Sequence, residues 1–174
     1  MLLKIDQLLP RLYRLCGLLA ALCIILIVLL VMVRIGSRIT GHYIPGLSEY
    51  SGYCLALAGS LGLAYTFGEH GHIRVEMLIE SLRRKTRFKF ELVILSIASV
   101  MAGYVAFYMV KQAYISYLYE DFSTKSDEIL LAIPQAPFAL GFVMFTVCLV
   151  HTLIKAMATG QITYLQHEKM HNSK

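Results

Sequence analysis

The sequence predicts an all-α membrane protein of four transmembrane helices, with amphipathic interfacial helices at the N-terminus and between spans two and three. Three observations carry that prediction. Of the 174 residues, 57% are hydrophobic and 16% are charged, whereas a soluble domain has roughly 45–50% apolar and about 25% charged residues. The apolar residues fall into four runs, each near the length of about 20 residues that a helix needs to cross a hydrocarbon core about 30 Å thick. The positive charges behind the formal net charge of +5 gather at the ends of those runs. There they read as topology signals and argue against a basic nucleic-acid-binding face.

Residues 1–14 come first. Leu2, Leu3, Ile5, Leu8, Leu9 and Leu12 interleave with Lys4, Asp6, Gln7, Arg11 and Arg14, the pattern of an amphipathic helix lying in the membrane interface. Pro10 should kink or restart it. The four-helix transmembrane domain then covers 15–158, beginning with span one at about 15–39. Within that span Cys16–Val33 holds one glycine and no charge. The run ends in Val33-Arg34-Ile35-Gly36-Ser37-Arg38 and has no small-residue cleavage site, so it reads as a retained helix and not a secretory signal.

Gly41-His42-Tyr43-Ile44-Pro45-Gly46 is a turn cluster. Ser48 suits the cap of the next helix and Glu49 its first turn, where the helix dipole favours a negative charge. Span two is expected at about 49–67. After it, Val75, Leu78, Ile79 and Leu82 recur at i, i+3, i+4 and i+7, among Arg74, Glu76, Glu80, Arg83, Arg84 and Lys85. That stripe predicts a second interfacial helix at about 72–87. Span three is expected at about 90–117, a polar loop from Glu120 to Glu128, span four at about 129–158, and a polar cytoplasmic tail at 159–174. Pro134 and Pro137 fall in the first turns of span four, where a missing amide costs least.

Orientation follows from the positive-inside rule. Lys4, Arg11 and Arg14, the connection bearing Arg74, Arg83, Arg84, Lys85, Arg87 and Lys89, and the C-terminal Lys155, Lys169 and Lys174 lie on one side. An even number of spans then puts both termini in the cytoplasm.

The candidate functional residues point to contacts and not to catalysis. Gly52, Ala56, Ser60, Ala64 and Gly68 place a small residue at every fourth position of span two. Such a ridge lets another backbone approach closely, either from a partner subunit or from this chain's own bundle. Arg34 and Arg38 stand one turn apart near the outer end of span one, with Glu49 the nearest acid in chain order. They suit a partner protein, a bound phospholipid or outer headgroups, and Lys111 and Gln112 could join the same layer. The cysteines Cys16, Cys23, Cys54 and Cys148 form no CxxC pair and read as buried thiols, so no metal site is expected. His70 or His72 with His151 could in principle ligate a haem, but they read better as interfacial histidines. No catalytic constellation or phosphate loop is visible, and the middles of the spans lack ionisable groups. A coupled pathway normally needs polar groups there, so the chain reads as an accessory subunit and not an enzyme.

Three segments resemble a known family. They are Ser48-Glu49-Tyr50, Gly71-His72-Ile73-Arg74-Val75-Glu76-Met77-Leu78, and Ile133-Pro134-Gln135-Ala136-Pro137-Phe138-Ala139-Leu140-Gly141. With the length and four-span layout, they resemble the small membrane (Q) subunit of TRAP transporters, the tripartite ATP-independent periplasmic carriers, over about residues 10–160. The family usually has tryptophan near the start of spans two and four, and this chain has none. The resemblance implies a bacterial inner-membrane subunit that braces the scaffold of a large elevator-type subunit. It also implies a periplasmic binding protein that delivers an organic anion such as sialic acid or a dicarboxylate, with coupling sodium bound by the large subunit. Glu49, His72, Arg74 and Glu76 match family positions and are expected to be structural or interface residues. Glu120, Asp121, Asp127 and Glu128 form an acidic loop that could dock the binding protein. The alternatives are a haem-binding anchor of a redox enzyme and a self-contained small transporter or channel.

Overall fold

The computed structural model describes residues 2–42, 44–68, 84–124 and 128–159. Four helices make up nearly all of it: α1 (Leu2–Ile39), α2 (Leu47–Gly68), α3 (Arg84–Leu118) and α4 (Ala132–Thr159). α1 packs on α2, α2 on α4, and α4 on α3, so α1 and α3 form the two edges of the set.

Among the described residues three segments are long and apolar enough to cross a membrane: Arg11–Ile39, Phe88–Leu118 and Ala132–Ala158. At about 1.5 Å per residue each exceeds the thickness of a hydrocarbon core of about 30 Å. The helix expected as span two is present as α2, but it is not among the three. Its 22 residues suffice in length, yet Ser48, Glu49, Ser51, Gly52, Gly59, Ser60, Gly62, Thr66 and Gly68 dilute its apolarity.

Other boundaries also differ from expectation. α1 runs unbroken from Leu2 to Ile39, so the N-terminal segment and span one are one continuous helix that passes through Pro10. Proline removes one hydrogen bond there, and the ladder on either side continues. The interfacial helix expected at 72–87 falls outside the described residues except for 84–87, which form the first turn of α3.

Both edge helices end in the same hydrogen-bonded motif. At the end of α1, His42 N–H donates to Ser37 O at 2.9 Å and Gly41 N–H to Arg38 O at 3.4 Å, with Gly41 at φ 74°. At the end of α3, Asp121 N–H donates to Ser116 O at 3.0 Å and Glu120 N–H to Tyr117 O at 3.4 Å, with Glu120 at φ 50°. These are Schellman caps, which satisfy the last carbonyls by putting one residue in the left-handed region. Across the following loop Ser123 N–H donates to Ile129 O at 2.8 Å and Leu131 N–H to Asp121 O at 2.9 Å, which clamps the loop shut.

The core is made mostly of small side chains, joined by Tyr13, Leu61 and Leu149. Cys16, Ala20, Ala58, Ser60, Ala64, Ser99, Ala102, Ala106, Ala139, Cys148 and Ala156 are buried, while Leu, Ile, Val and aromatic residues face outward in large numbers. A soluble protein places its large apolar residues inside. The reversed arrangement suits helices that pack in lipid, where close backbone approach supplies the contact energy.

Candidate functional site

Among the described residues no three His, Cys, Asp or Glu side chains gather as metal ligands, and all four cysteines are free. The features able to do something chemically are helix faces, and each has a residue-level cause.

The small-residue ridge of α2 divides in two. Ser60 and Ala64 are buried and Gly68 half-buried, whereas Gly52 and Ala56 are exposed. A helix turns about 100° per residue, so each four-residue step drifts by about 40° and the whole ridge by about 160°. Its second half therefore faces this chain's own helices. A Cβ on Gly68 would lie 2.6 Å from the Tyr13 ring, and one on Gly141 of α4 would strike Ser60, with Ser60 Cβ at 2.7 Å. Gly17 of α1 lies equally close under the Tyr65 ring, 2.6 Å from a would-be Cβ. These three contacts hold α1, α2 and α4 together. In the first half, a Cβ on Gly52 would find open space.

Arg34 and Arg38 are both exposed on the last turns of α1. Arg34 Nη1 donates to Ser48 Oγ at 3.0 Å, and among the described residues neither arginine pairs with a carboxylate. Ser48 therefore tethers α1 to α2 and is not a cap. Gly46, at φ 83°, lets the helix begin at Leu47, and its carbonyl accepts the Tyr50 N–H at 3.0 Å. Glu49 sits in the first turn of α2, as expected. Lys111 and Gln112 lie on α3, which packs on α4 at the opposite edge from α1. Lys111 Nζ lies 5.9 Å over the Tyr108 ring.

Glu120, Asp121 and Glu128 are exposed on the clamped loop, and Glu128 also has a positive φ, 43°. Asp127, His72, Arg74 and Glu76 lie outside the described residues. So do His70 and most of the segment that would bring it near His151.

Sequence reasoning missed the outward face of α3. Tyr104, Phe107, Tyr108, Lys111, Gln112 and Tyr114 are all exposed, and at about 100° per residue they share one side of the helix. The opposite side, with Ser99, Ala102, Ala106 and Ser116, is buried. Helical spacing of the tyrosines was the available signal. In an apolar run it reads as ordinary core until the small residues are seen to take the inward positions.

The model of the family described as "Tripartite ATP-independent periplasmic transporters, DctQ component" matches residues 24–159. No curated protein matches the chain significantly. The family match covers most of the sequence, and the chain belongs to that family, the small membrane component of TRAP transporters. It is thus a transporter component and not an enzyme, which replaces the reading of a haem anchor for a redox enzyme. Membership implies a large membrane subunit and a periplasmic binding protein as its partners.

Proposed function

We propose that this TRAP small subunit braces the immobile scaffold of a large elevator-type subunit during sodium-coupled, binding-protein-dependent uptake of an organic anion of the sialic acid or dicarboxylate class. One observation favours bracing over transport by this chain itself. The central stretches of α1, α2, α3 and α4, about residues 15–33, 50–68, 92–110 and 132–150, contain no Asp, Glu, Lys or Arg. A pathway that couples ion and substrate movement needs polar groups at that depth, so sodium and substrate belong in the large subunit.

Two further readings belong to this proposal. α2 is the fourth span: it is about 33 Å long and packs between α1 and α4, both of which are apolar enough to cross. Both termini then lie in the cytoplasm of a bacterial inner membrane, and the clamped loop bearing Glu120, Asp121, Asp127 and Glu128 faces the periplasm and the binding protein. The Arg34–Arg38 pair, without a carboxylate partner among the described residues, suits a phospholipid phosphate at the same side.

The deciding experiment is uptake into proteoliposomes that hold this chain alone, the large subunit alone, or both, with binding protein and an inward sodium gradient supplied throughout. Transport is expected only with both. Transport by this chain alone, or undiminished transport without it, overturns the proposal. Neutralising the four loop acids together is expected to weaken uptake and binding-protein affinity, and an unchanged result removes their docking role.

A further inference from the structure

The outward side of α3 differs in chemistry from that of α1, the other edge helix. Tyr104 is the seventeenth residue of the 31-residue span Phe88–Leu118, close to its middle, and is 62% exposed. The Tyr104 and Tyr108 rings lie 4.6 Å apart, with Phe107 packed edge-on against Tyr108 at 5.6 Å. Lys111, Gln112 and Tyr114 continue the same side toward the end of the helix. On α1, by contrast, Leu15–Val33 offers no side-chain nitrogen or oxygen at all.

Four of the hydroxyls elsewhere in the helices show why this matters. Ser96, Ser99, Thr146 and Thr152 each donate to the backbone carbonyl four residues earlier, at 2.7 to 2.9 Å. Short side chains can thus satisfy themselves within their own helix. A phenol is too long to fold back in that way. Tyr104 and Tyr108 can share one hydrogen bond with each other, which still leaves a donor over. Lys111, Gln112 and Tyr114 have no hydrogen-bonded partner among the described residues. A hydroxyl left unpaired in hydrocarbon costs free energy that water or lipid tails at that depth cannot return. Tyrosine otherwise settles at the two membrane–water interfaces, not at mid-span.

We infer that the Tyr104–Tyr108–Lys111 side of α3 docks against a membrane-embedded helix of the large subunit, one that presents carbonyl or carboxylate acceptors to the two phenols and the ammonium. The bare side of α1 faces lipid. This rests on the bracing role proposed above and adds the surface through which it is exerted. The occupant is a protein helix because only protein supplies fixed acceptors at the depth of Tyr104; lipid phosphates lie about ten residues away along the helix, at about 1.5 Å per residue.

The test is photo-crosslinking within the complete two-subunit complex in native-lipid membranes. p-Benzoylphenylalanine replaces Tyr104 or Phe107 on α3, and Leu22 or Leu29 on α1, one site at a time. Adducts to the large subunit from the α3 sites, with only lipid adducts from the α1 sites, are the expected result. Lipid adducts from α3 and protein adducts from α1 overturn the assignment. If the two subunits do not co-purify at all, the bracing role beneath it fails as well, and that outcome is read before any irradiation. Tyr104→Phe and Tyr108→Phe together, which keep the rings and the fold of the isolated chain, are expected to weaken association roughly 3- to 10-fold, the scale of an interhelical hydrogen bond in a membrane. Undiminished association also overturns the assignment.

Discussion

α1 and α3 are the two edges of the molecule, and they solve the same packing problem with different outer surfaces. Each turns small residues inward: Cys16, Gly17 and Ala20 from α1, Ser99, Ala102 and Ala106 from α3. Each turns large ones outward. On α1 those are Leu22, Ile25, Leu29 and Met32, while on α3 they include Tyr104, Phe107, Tyr108 and Tyr114. The inward pattern fixes how the chain packs with itself. The outward chemistry records what each edge meets, and only that second property separates a lipid-facing edge from a subunit-facing one.

The most damaging way to break this contrast is to place a charge in the middle of α1. Ile25 is 56% exposed there. Ile25→Lys is expected to cost about 2.5–3.5 kcal/mol of insertion free energy, read as loss of the chain from the membrane fraction. An Ile25→Lys protein that inserts normally would mean that this edge is covered by polar protein surface, and the two edges would exchange roles.

Next in size is the inward pattern itself. Gly141 faces Ser60 so closely that any side chain must displace the α2 backbone, whose Ser60 carbonyl carbon would lie 3.0 Å from the new Cβ. Gly141→Leu is expected to lose about 1–3 kcal/mol to overpacking, measured as earlier thermal unfolding in detergent. Gly52→Leu, which meets open space, should leave that unfolding unchanged and instead reveal itself, if at all, in association with the large subunit.

These pairs also show what could be read in advance. The existence of the helices α1, α3 and α4 was legible because long apolar runs between charged flanks have few other solutions in water or lipid. The division of the α2 ridge was not: a four-residue step looks straight on paper and drifts by about 40° per step on a real helix. Ser48 looked like a cap because its residue type favours one. Gly46, one residue before the helix, took that place through its positive φ. The helix continues through Pro10 without the restart that was one of the two expected outcomes, because one lost hydrogen bond does not stop a helix whose later turns are strongly apolar. The α3 face was hidden because aromatic residues at helical spacing ordinarily pack inward. Only the burial of Ser99, Ala102 and Ser116 on the other side reveals that they do not.

The smallest expected effect lies at the two helix ends, where the edges again share a motif and differ in one residue. Both Schellman caps need a left-handed residue; α1 uses Gly41 at φ 74° and α3 uses Glu120 at φ 50°. Glycine enters that region without the Cβ crowding that costs other residues about 1–2 kcal/mol. Glu120→Gly is therefore expected to raise stability, less the extra freedom glycine gains when unfolded, for a net of a few tenths to about 1 kcal/mol. Gly41→Ala, the mirror experiment, is expected to lower stability by about 1 kcal/mol. Both are read from thermal unfolding of the purified chain in one detergent. Opposite signs confirm that backbone geometry governs the two ends alike. A loss of stability in Glu120→Gly would instead show that the Glu120 carboxylate is held by a specific contact. That contact would give the clamped loop, and not the cap, as the reason for an acid at this position.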